Sequence, residues 1–377
     1  MERPGNLILK RNTVVVKIGT NLLADKTRGI DTGRIEAIAK SVSSLRGRGT
    51  DVAIVSSGAI GAGVAALGLK ARPRTIPEKQ ATAAIGQPLL MEAYEHAFRK
   101  VNQPIAQLLL TRDDFSNRGR YVNARNTFAA LFEKGVVPVI NENDTVAVEE
   151  IKLGDNDNLS AMVATLVEAG MLLILSDVDG LYTAAPSADP RAELIRVVER
   201  ITPQVERYAR KKVSELSTGG MATKIQAAKL CVGSGITVVI ANGRKPDVIE
   251  SIFRGDVPGT IFLPSDTRLS TRKQWIGFVS HTRGSIVVDA GASAALLKKH
   301  KSLLPSGILE IRGEFRARDI VSIVGPDGRQ IGKGICDYSS AELNKIKGKK
   351  SSEVEAVLHR KAPAEVVHRD NLAPFGE

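Results

Sequence analysis

Five stretches of this 377-residue chain are apolar with almost no alternation: Thr13–Ile18, Asp51–Ser56, Val136–Ile140, Met171–Leu175 and Ile236–Ala241. A strand with one face in water alternates apolar and polar residues. A continuous run of Val, Ile and Leu must instead be covered on both faces. Pro104–Thr111 reads as a further strand, and helical patterns separate the runs. Asp31 caps a helix of about eighteen residues that gathers Ile35, Ile38, Ala39, Val42 and Leu45 on one face. Pro77–Lys100 reads as one or two helices, interrupted near Gly86–Pro88. Tyr121–Lys134 reads as another, with Asn123, Arg125 and Asn126 on its polar face, and an amphipathic helix begins near Leu159 and runs to Glu168. Repeated strand, loop and helix segments predict an α/β fold whose parallel or mixed sheet is covered on both faces.

In such a sheet, ligands gather where strands release polar loops. Lys17 closes the first run beside Gly19-Thr20-Asn21, and a lysine inside a row of valines is badly placed for a mere solvated strand end. The second run leads into Ser57-Gly58-Ala59-Ile60-Gly61-Ala62-Gly63. Its small residues and free backbone N–H groups at a helix N-terminus suit an anion, although the spacing is not that of a Walker A loop. The run at Val136 delivers the most polar stretch, Asn141–Asn158 (NENDTVAVEEIKLGDNDN), which contains Asp144, Lys152, Asp155, Asn156 and Asp157. Two Asn/Asp clusters bracket a segment that reads as a small β-excursion, so the whole is expected to be a substrate loop. Met171–Leu175 exits through Ser176-Asp177-Val178-Asp179-Gly180. Ser217–Lys224 (STGGMATK) opens a helix with two glycines for close backbone approach and a lysine one turn in.

Residues of these kinds at strand ends are what phosphoryl transfer to a carboxylate would call for. A carboxylate is already ionised at neutral pH, so no general base is required. Two cations must draw nucleophile and nucleotide together, and an acid must hold those cations in place. Lys17, Lys224 and Asp157 suit the three roles.

Composition narrows the field. With 43% hydrophobic and 25% charged residues the chain has ample material for two domains or more. Aromatics are 4%, too few for stacking platforms on single-stranded nucleic acid. No run is long enough to span a bilayer or to serve as a signal peptide, so a cytoplasmic protein is expected. Cys231 and Cys336 lie among apolar neighbours, as buried free thiols do, and the five histidines are dispersed. The net charge is +12; from Gly284 onward 15 basic residues face 12 acidic ones, so most of the excess precedes it. A polyanionic nucleotide substrate explains part of that excess.

The texture changes beyond Leu263–Arg283, a polar, basic linker apart from Trp275–Val279. Short β-rich runs (Ser285–Val288, Ile308–Ile311, Ile320–Ile323, Ile331–Ile335) alternate with Gly and Pro turns, with one helix, Ala292–Lys299, between them. They predict a small β-barrel-like domain. The expected organisation is a catalytic domain over residues 1–262, a linker over 263–283, the small domain over 284–362 and a tail over 363–377.

In order, the motifs VVKIGTN (Val15–Asn21), SSGAIGAG (Ser56–Gly63), NENDTV (Asn141–Val146), KLGDNDNLSA (Lys152–Ala161), SDVDGLYTA (Ser176–Ala184) and STGGMATK (Ser217–Lys224) resemble the amino acid kinase family. Within it they resemble the members that phosphorylate the γ-carboxylate of glutamate, and the C-terminal part resembles a PUA domain, an RNA-binding module elsewhere. The resemblance implies the family's αβα sandwich around a mostly parallel sheet, and a reaction in which ATP, accompanied by Mg2+, converts L-glutamate to L-glutamyl 5-phosphate. That is the first step of proline synthesis, with proline as feedback inhibitor. It implies that Lys17 binds ATP phosphate and that Ser57, Asp144 and Asn156 hold glutamate, Asp144 through the ammonium. Ser176 and Asp177 border the nucleotide, while Thr218, Gly219, Gly220, Met221, Ala222, Thr223 and Lys224 wrap its phosphates. Asp157 orients Lys17 and Lys224, and Lys152 is a softer substrate contact. No protein residue is assigned to the metal. The family often has Thr in place of Ser176 and Ser in place of Asn21. A homo-oligomer is implied, and a labile product is compatible with hand-over to a reductase. Two other readings stay open: a family member acting on aspartate or N-acetylglutamate, and an RNA-binding protein working through its tail. A free α-amino group suits the Asp144 and Asn156 pocket better than an acetylated one. Binding of RNA by the tail is expected to be weak or absent. Replacing Lys224 or Asp157 is expected to cost turnover more than folding.

Overall fold

Thr13–Ile18 (β1) sits at the centre of its sheet because its residues have nowhere else to go: Val14, Val15, Val16 and Ile18 are wholly excluded from solvent. The computed structural model describes residues 12–24, 29–146, 156–186, 189–210, 220–264, 273, 276–277 and 282–375. Following β1 come Asp51–Val55 (β2), Ile105–Leu110 (β3), Val137–Glu142 (β4), Met171–Ser176 (β5), Val197–Val198 (β6), Thr237–Asn242 (β7) and Gly259–Phe262 (β8). They form one eight-stranded sheet in the order β3-β4-β2-β1-β5-β7-β8-β6. Every pairing is parallel except β7 with β8. β3 and β4 therefore extend the sheet on one side of β1 and β7 on the other, and the chain crosses between the flanks after β4. The carboxyl ends of β4, β2, β1, β5 and β7 open on the same edge.

The helix that makes this crossing is Asn156–Leu166, which starts three residues before the position expected from its apolar pattern. It is also not amphipathic. Every residue from Leu159 to Leu166 is buried, as is Asp157. A crossover helix enclosed by other elements has no solvent face to keep polar.

A second departure concerns Ile76–Arg99, a single 24-residue helix with Pro88 inside it, where the sequence predicts an interruption. Gly86 and Gly63 explain the outcome. A Cβ on Gly86 would lie 1.9 Å from the Ala59 carbonyl oxygen, and one on Gly63 would lie 2.0 Å from the Thr82 oxygen. These glycines bring the Ala59–Ala66 helix into backbone contact with Ile76–Arg99; they do not break it. That packing outweighs the one intrahelical bond Pro88 cannot make. The helix begins with a capping box, Thr75 with Glu78. Asp31 caps Thr32–Gly47, accepting from the Arg34 N–H at 2.8 Å.

By the density of its contacts the chain divides into two units, Met1–Asp114 with Arg118–Arg268, and Phe115–Asn117 with Leu269–Glu377. The second contains a five-stranded sheet of Gly284–Val288 (β9), Ile308–Arg312 (β10), Ile320–Val324 (β11), Gln330–Ile335 (β12) and Leu372–Pro374 (β13), ordered β10-β9-β11-β12-β13. β9 and β11 run parallel and the other pairs antiparallel. Its core collects Ile286, Val288, Val321, Ile323, Tyr338, Leu343 and Val367. The expected helix runs from Ala290 to Lys299, capped by Asp289, and two shorter ones (Ser340–Ile346 and Val354–Leu358) were not foreseen. At seven and five residues neither spans enough turns for a helical period to emerge. β13 lies within the stretch read as a tail and pairs with β12.

Candidate active site

Lys17 is the penultimate residue of β1, level with Val55 on β2 and Ile174 on β5. It is 3% exposed, and its Nζ lies 2.6 Å from Oδ1 of Asp157, which is wholly buried in the first turn of Asn156–Leu166. The second oxygen of Asp157 faces Lys224 Nζ at 3.0 Å and Thr223 Oγ1 at 2.9 Å. Both come from the first turn of Met221–Gly233. Two ammonium groups thus share one carboxylate. Charge is tolerated at such depth only when paired, and both ammoniums meet that condition through Asp157. The amino end of a helix further favours the carboxylate. Two ammonium groups converging on one point suit an anionic ligand.

One residue earlier on the same helix the chemistry turns neutral. Asn156 Nδ2 shares its two protons among the Ser56 carbonyl oxygen at 2.5 Å, Ser57 Oγ at 2.8 Å and Asn141 Oδ1 at 3.0 Å. Asn141 Oδ1 also accepts from the Glu142 N–H at 2.9 Å, and Asn141 Nδ2 donates to Gln87 Oε1 at 2.8 Å. The Ser56 hydroxyl meets that of the buried Tyr94 at 2.9 Å. Ser56 and Ser57 leave β2 through Gly58, whose φ of 103° is in the left-handed region that glycine occupies without strain. The turn stands at the amino end of Ala59–Ala66, as the sequence predicts.

Asp144 lies in the turn after β4, three residues past Asn141. Burial pushes its carboxyl up to about 6. Burial, reinforced by the Asp144 charge, pushes Glu142 up to about 7. Two desolvated carboxyls beside a donor–acceptor network suit a cationic group on a ligand.

On the other flank, Ser176 ends β5 and its Oγ is 3.2 Å from Asp177 Oδ1, while Asn21 Nδ2 donates to Asp177 Oδ2 at 2.8 Å. Burial raises Asp177, but the bonds from Asn21, its own backbone N–H and Ser176, with the Lys224 charge, outweigh that and hold it below the usual carboxylate range. Asp179 pairs with Lys245 at 2.8 Å and accepts from Asn242 at 3.2 Å. Gly220 precedes Met221–Gly233, and among the described residues a Cβ there would meet nothing within 4 Å.

The fold therefore brings Lys17, Asp157, Thr223 and Lys224 into one charged cluster and Ser57 and Asn156 into the adjoining neutral one. Ser176 and Asp177 stand on the β5 side of β1, and Asp144 on the β4 side. Met221 and Ala222 form the first turn of the helix that carries Lys224. Lys152, Asp155, Thr218, Gly219 and the expected β-excursion lie outside the described residues. Sequence reasoning passed over Gln87, Tyr94, Ser56 and the amide of Asn141. Asn141 and Ser56 appeared only as the first residues of the polar stretch and of SSGAIGAG, and Gln87 only inside the expected helix interruption. Among the described residues no group of three or more His, Cys, Asp or Glu could hold a metal ion. Both Asp157 oxygens are engaged by cations.

Comparison with known proteins places these features in a lineage. The sequence model of the amino acid kinase family matches residues 12–242, and that of the PUA domain matches residues 284–358. The chain is 50% identical to the glutamate 5-kinase of Geobacter sp. (strain M21) over 97% of its own length and 98% of the relative's. It is 48% identical to that of Moorella thermoacetica over the whole of both chains. Among solved structures, carbamate kinase from Giardia lamblia bound to AMP-PNP superposes on 68% of this chain with a TM-score of 0.50 at 16% identity, covering all of that protein. At that identity the likeness is one of fold.

Proposed function

This chain belongs to the amino acid kinase family and carries a PUA domain, and from that premise we propose that it is an ATP-dependent glutamate 5-kinase. The observation that supports this most directly is the pair of neighbours Asn156 and Asp157. One helix end holds a neutral network suited to an amino acid beside a buried cation pair suited to phosphate.

The reaction follows from the charges. The ionised γ-carboxylate attacks the γ-phosphorus of ATP; a carboxyl oxygen–phosphorus bond forms, the bond to the β,γ-bridging oxygen breaks, and ADP departs with that electron pair. No proton need be removed first. Lys17 and Lys224 bring the two anions together and match the charge that builds on the transferring group, and Asp157 holds both ammoniums in place. Thr223 steadies the same carboxylate. Ser57, Asp144 and Asn156 take the amino acid, Asp144 facing its ammonium. Ser176, Asp177 and the entrance of Met221–Gly233 face the nucleotide, together with Thr218 and Gly219. Mg2+ would arrive on the nucleotide and screen its phosphates; Lys17 and Lys224 perform the protein's share of that screening.

Proline as an end-product inhibitor, a homo-oligomer and transfer of the acyl phosphate to a reductase belong to the same proposal. So does a cytoplasmic setting; no helix of the described residues is long and apolar enough to cross a membrane. The test is ATP turnover with L-glutamate, L-aspartate and N-acetyl-L-glutamate in parallel, trapping acyl phosphate with hydroxylamine. Hydroxamate formed with glutamate and suppressed by proline is expected. Hydroxamate formed faster with either other acid would overturn the substrate assignment.

A further inference from the structure

Helix Ile76–Arg99 approaches the substrate turn with more than packing. Its Gly86 rests on the backbone of Ala59, two residues beyond Ser57, and the next residue is Gln87. Gln87 Oε1 accepts from Asn141 Nδ2 at 2.8 Å, Asn141 Oδ1 accepts from Asn156 Nδ2 at 3.0 Å, and Asn156 Nδ2 reaches Ser57 Oγ at 2.8 Å. Each amide in this relay has two opposite ends, and an inverted amide would offer a ligand the wrong partner.

Two backbone groups set the polarity. The Ser56 carbonyl can only accept, so Asn156 must present its NH2 there. The Glu142 N–H can only donate, so Asn141 must present its oxygen there. The NH2 of Asn141 is then left for helix Ile76–Arg99, where Gln87 meets it with an oxygen. With this polarity Asn156 Oδ1 is directed away from the relay as an acceptor, and Ser57, already accepting from Asn156, has its own hydroxyl proton to give. An acceptor beside a donor is the complement of the ammonium and α-carboxylate of a zwitterionic amino acid.

We infer that Gln87 is a positioning residue for the amino acid, acting through Asn141 to hold the Asn156 amide in the orientation that accepts from the substrate ammonium. The inference rests on the glutamate kinase reading. Gln87 does not touch the reacting atoms. It lies on the β4 side of the site, so the ATP side should not register its loss.

The experiment compares the wild-type protein with Gln87→Leu, which removes the acceptor at similar size, and Gln87→Glu, which keeps it. Glutamate and ATP are varied separately in the hydroxamate assay, and thermal melting is recorded for each protein. Gln87→Leu is expected to raise KM for glutamate about five- to tenfold, the scale of one positioning hydrogen bond, with kcat and KM for ATP within about twofold. Gln87→Glu is expected to recover most of the loss. In an Asn141→Ala background the further change to Leu should alter KM less than twofold, because the relay is already cut. An unchanged KM in folded Gln87→Leu would overturn the inference, as would equal effects on glutamate and ATP or full additivity with Asn141→Ala. If the Leu variant fails to melt cooperatively, the Glu variant decides: a KM as high as that of Asn141→Ala counts against the inference. Absence of glutamate-dependent hydroxamate in the wild type is a separate result that sinks the kinase reading itself.

Discussion

The two sides of the site solve different electrostatic problems. Around Asp157 the described contacts are two ammoniums and one hydroxyl, and Lys17, Asp157 and Lys224 are 3%, 0% and 4% exposed. Around Asn156 the contacts are amides, hydroxyls and backbone, and Asn156 itself is only partly buried. Burying a charged cluster is costly, and it is repaid where charge develops during the reaction in a site closed to water. A neutral network costs less and discriminates by direction, giving each end of a zwitterion its own partner. The first should therefore govern turnover, and the second affinity.

The strongest way to break that division is Asp157→Asn. It leaves two buried ammoniums facing a neutral amide, and kcat should fall at least about a hundredfold. Its burial adds a folding cost on the order of 3 kcal/mol, as for other broken buried pairs. Lys224→Ala, which keeps the Lys17–Asp157 ion pair, should lose comparable turnover with a much smaller drop in Tm. Turnover within tenfold of wild type in folded Asp157→Asn would remove Asp157 from the catalytic role.

Asp144→Asn sharpens the affinity side. KM for glutamate should rise at least about tenfold, as expected on losing one partner of a desolvated charge pair, with KM for ATP unaffected. A matching fall in kcat with no change in KM would assign Asp144 to the charged half.

The same carboxylate makes a prediction in pH. Its folded value, about 6, lies above the ordinary range, so the folded state holds this proton more tightly than the unfolded chain. The stability it contributes is present at low pH and lost as pH rises through about 6; Glu142 adds a similar loss near 7. Substrate binding has the opposite sign, because the ammonium needs the ionised form. KM for glutamate should therefore rise as pH drops below about 6, with ATP affinity following a different profile. The Asn variant should flatten the glutamate profile.

The smallest effect is expected at Tyr94→Phe. It removes one bond to Ser56 from beneath the neutral network and should lower stability by about 1 kcal/mol, with KM for glutamate changed by less than about threefold. Urea unfolding checks the first and the assay the second. A larger kinetic effect would mean that the network is less rigid than its geometry implies.

Most of the architecture was legible in the chain. Unalternating apolar runs can only be strands covered on both faces, and their polar exits marked Lys17, Ser57, Asp144, Asn156, Ser176 and Asp177 as candidates. Those signals are local: burial pattern, turn chemistry and a charge out of place among valines. Gln87 and Tyr94 carry no local signal, since a glutamine and a tyrosine in a long helix look like any others. Gly86 misled for the same reason. In sequence a glycine before Gln-Pro reads as a break, and only the presence of Ala59 at contact distance makes it a packing surface. Leu159–Leu166 likewise kept a polar face in expectation because nothing in the chain reveals what will cover it. The amino acids alone determined the strand core, the loops at its carboxyl edge and the charges available for chemistry. Tertiary structure decided which of those charges share one carboxylate and which amide faces which way, because contacts between residues as far as 140 positions apart depend on the crossing of strands and helices, a property no single segment contains.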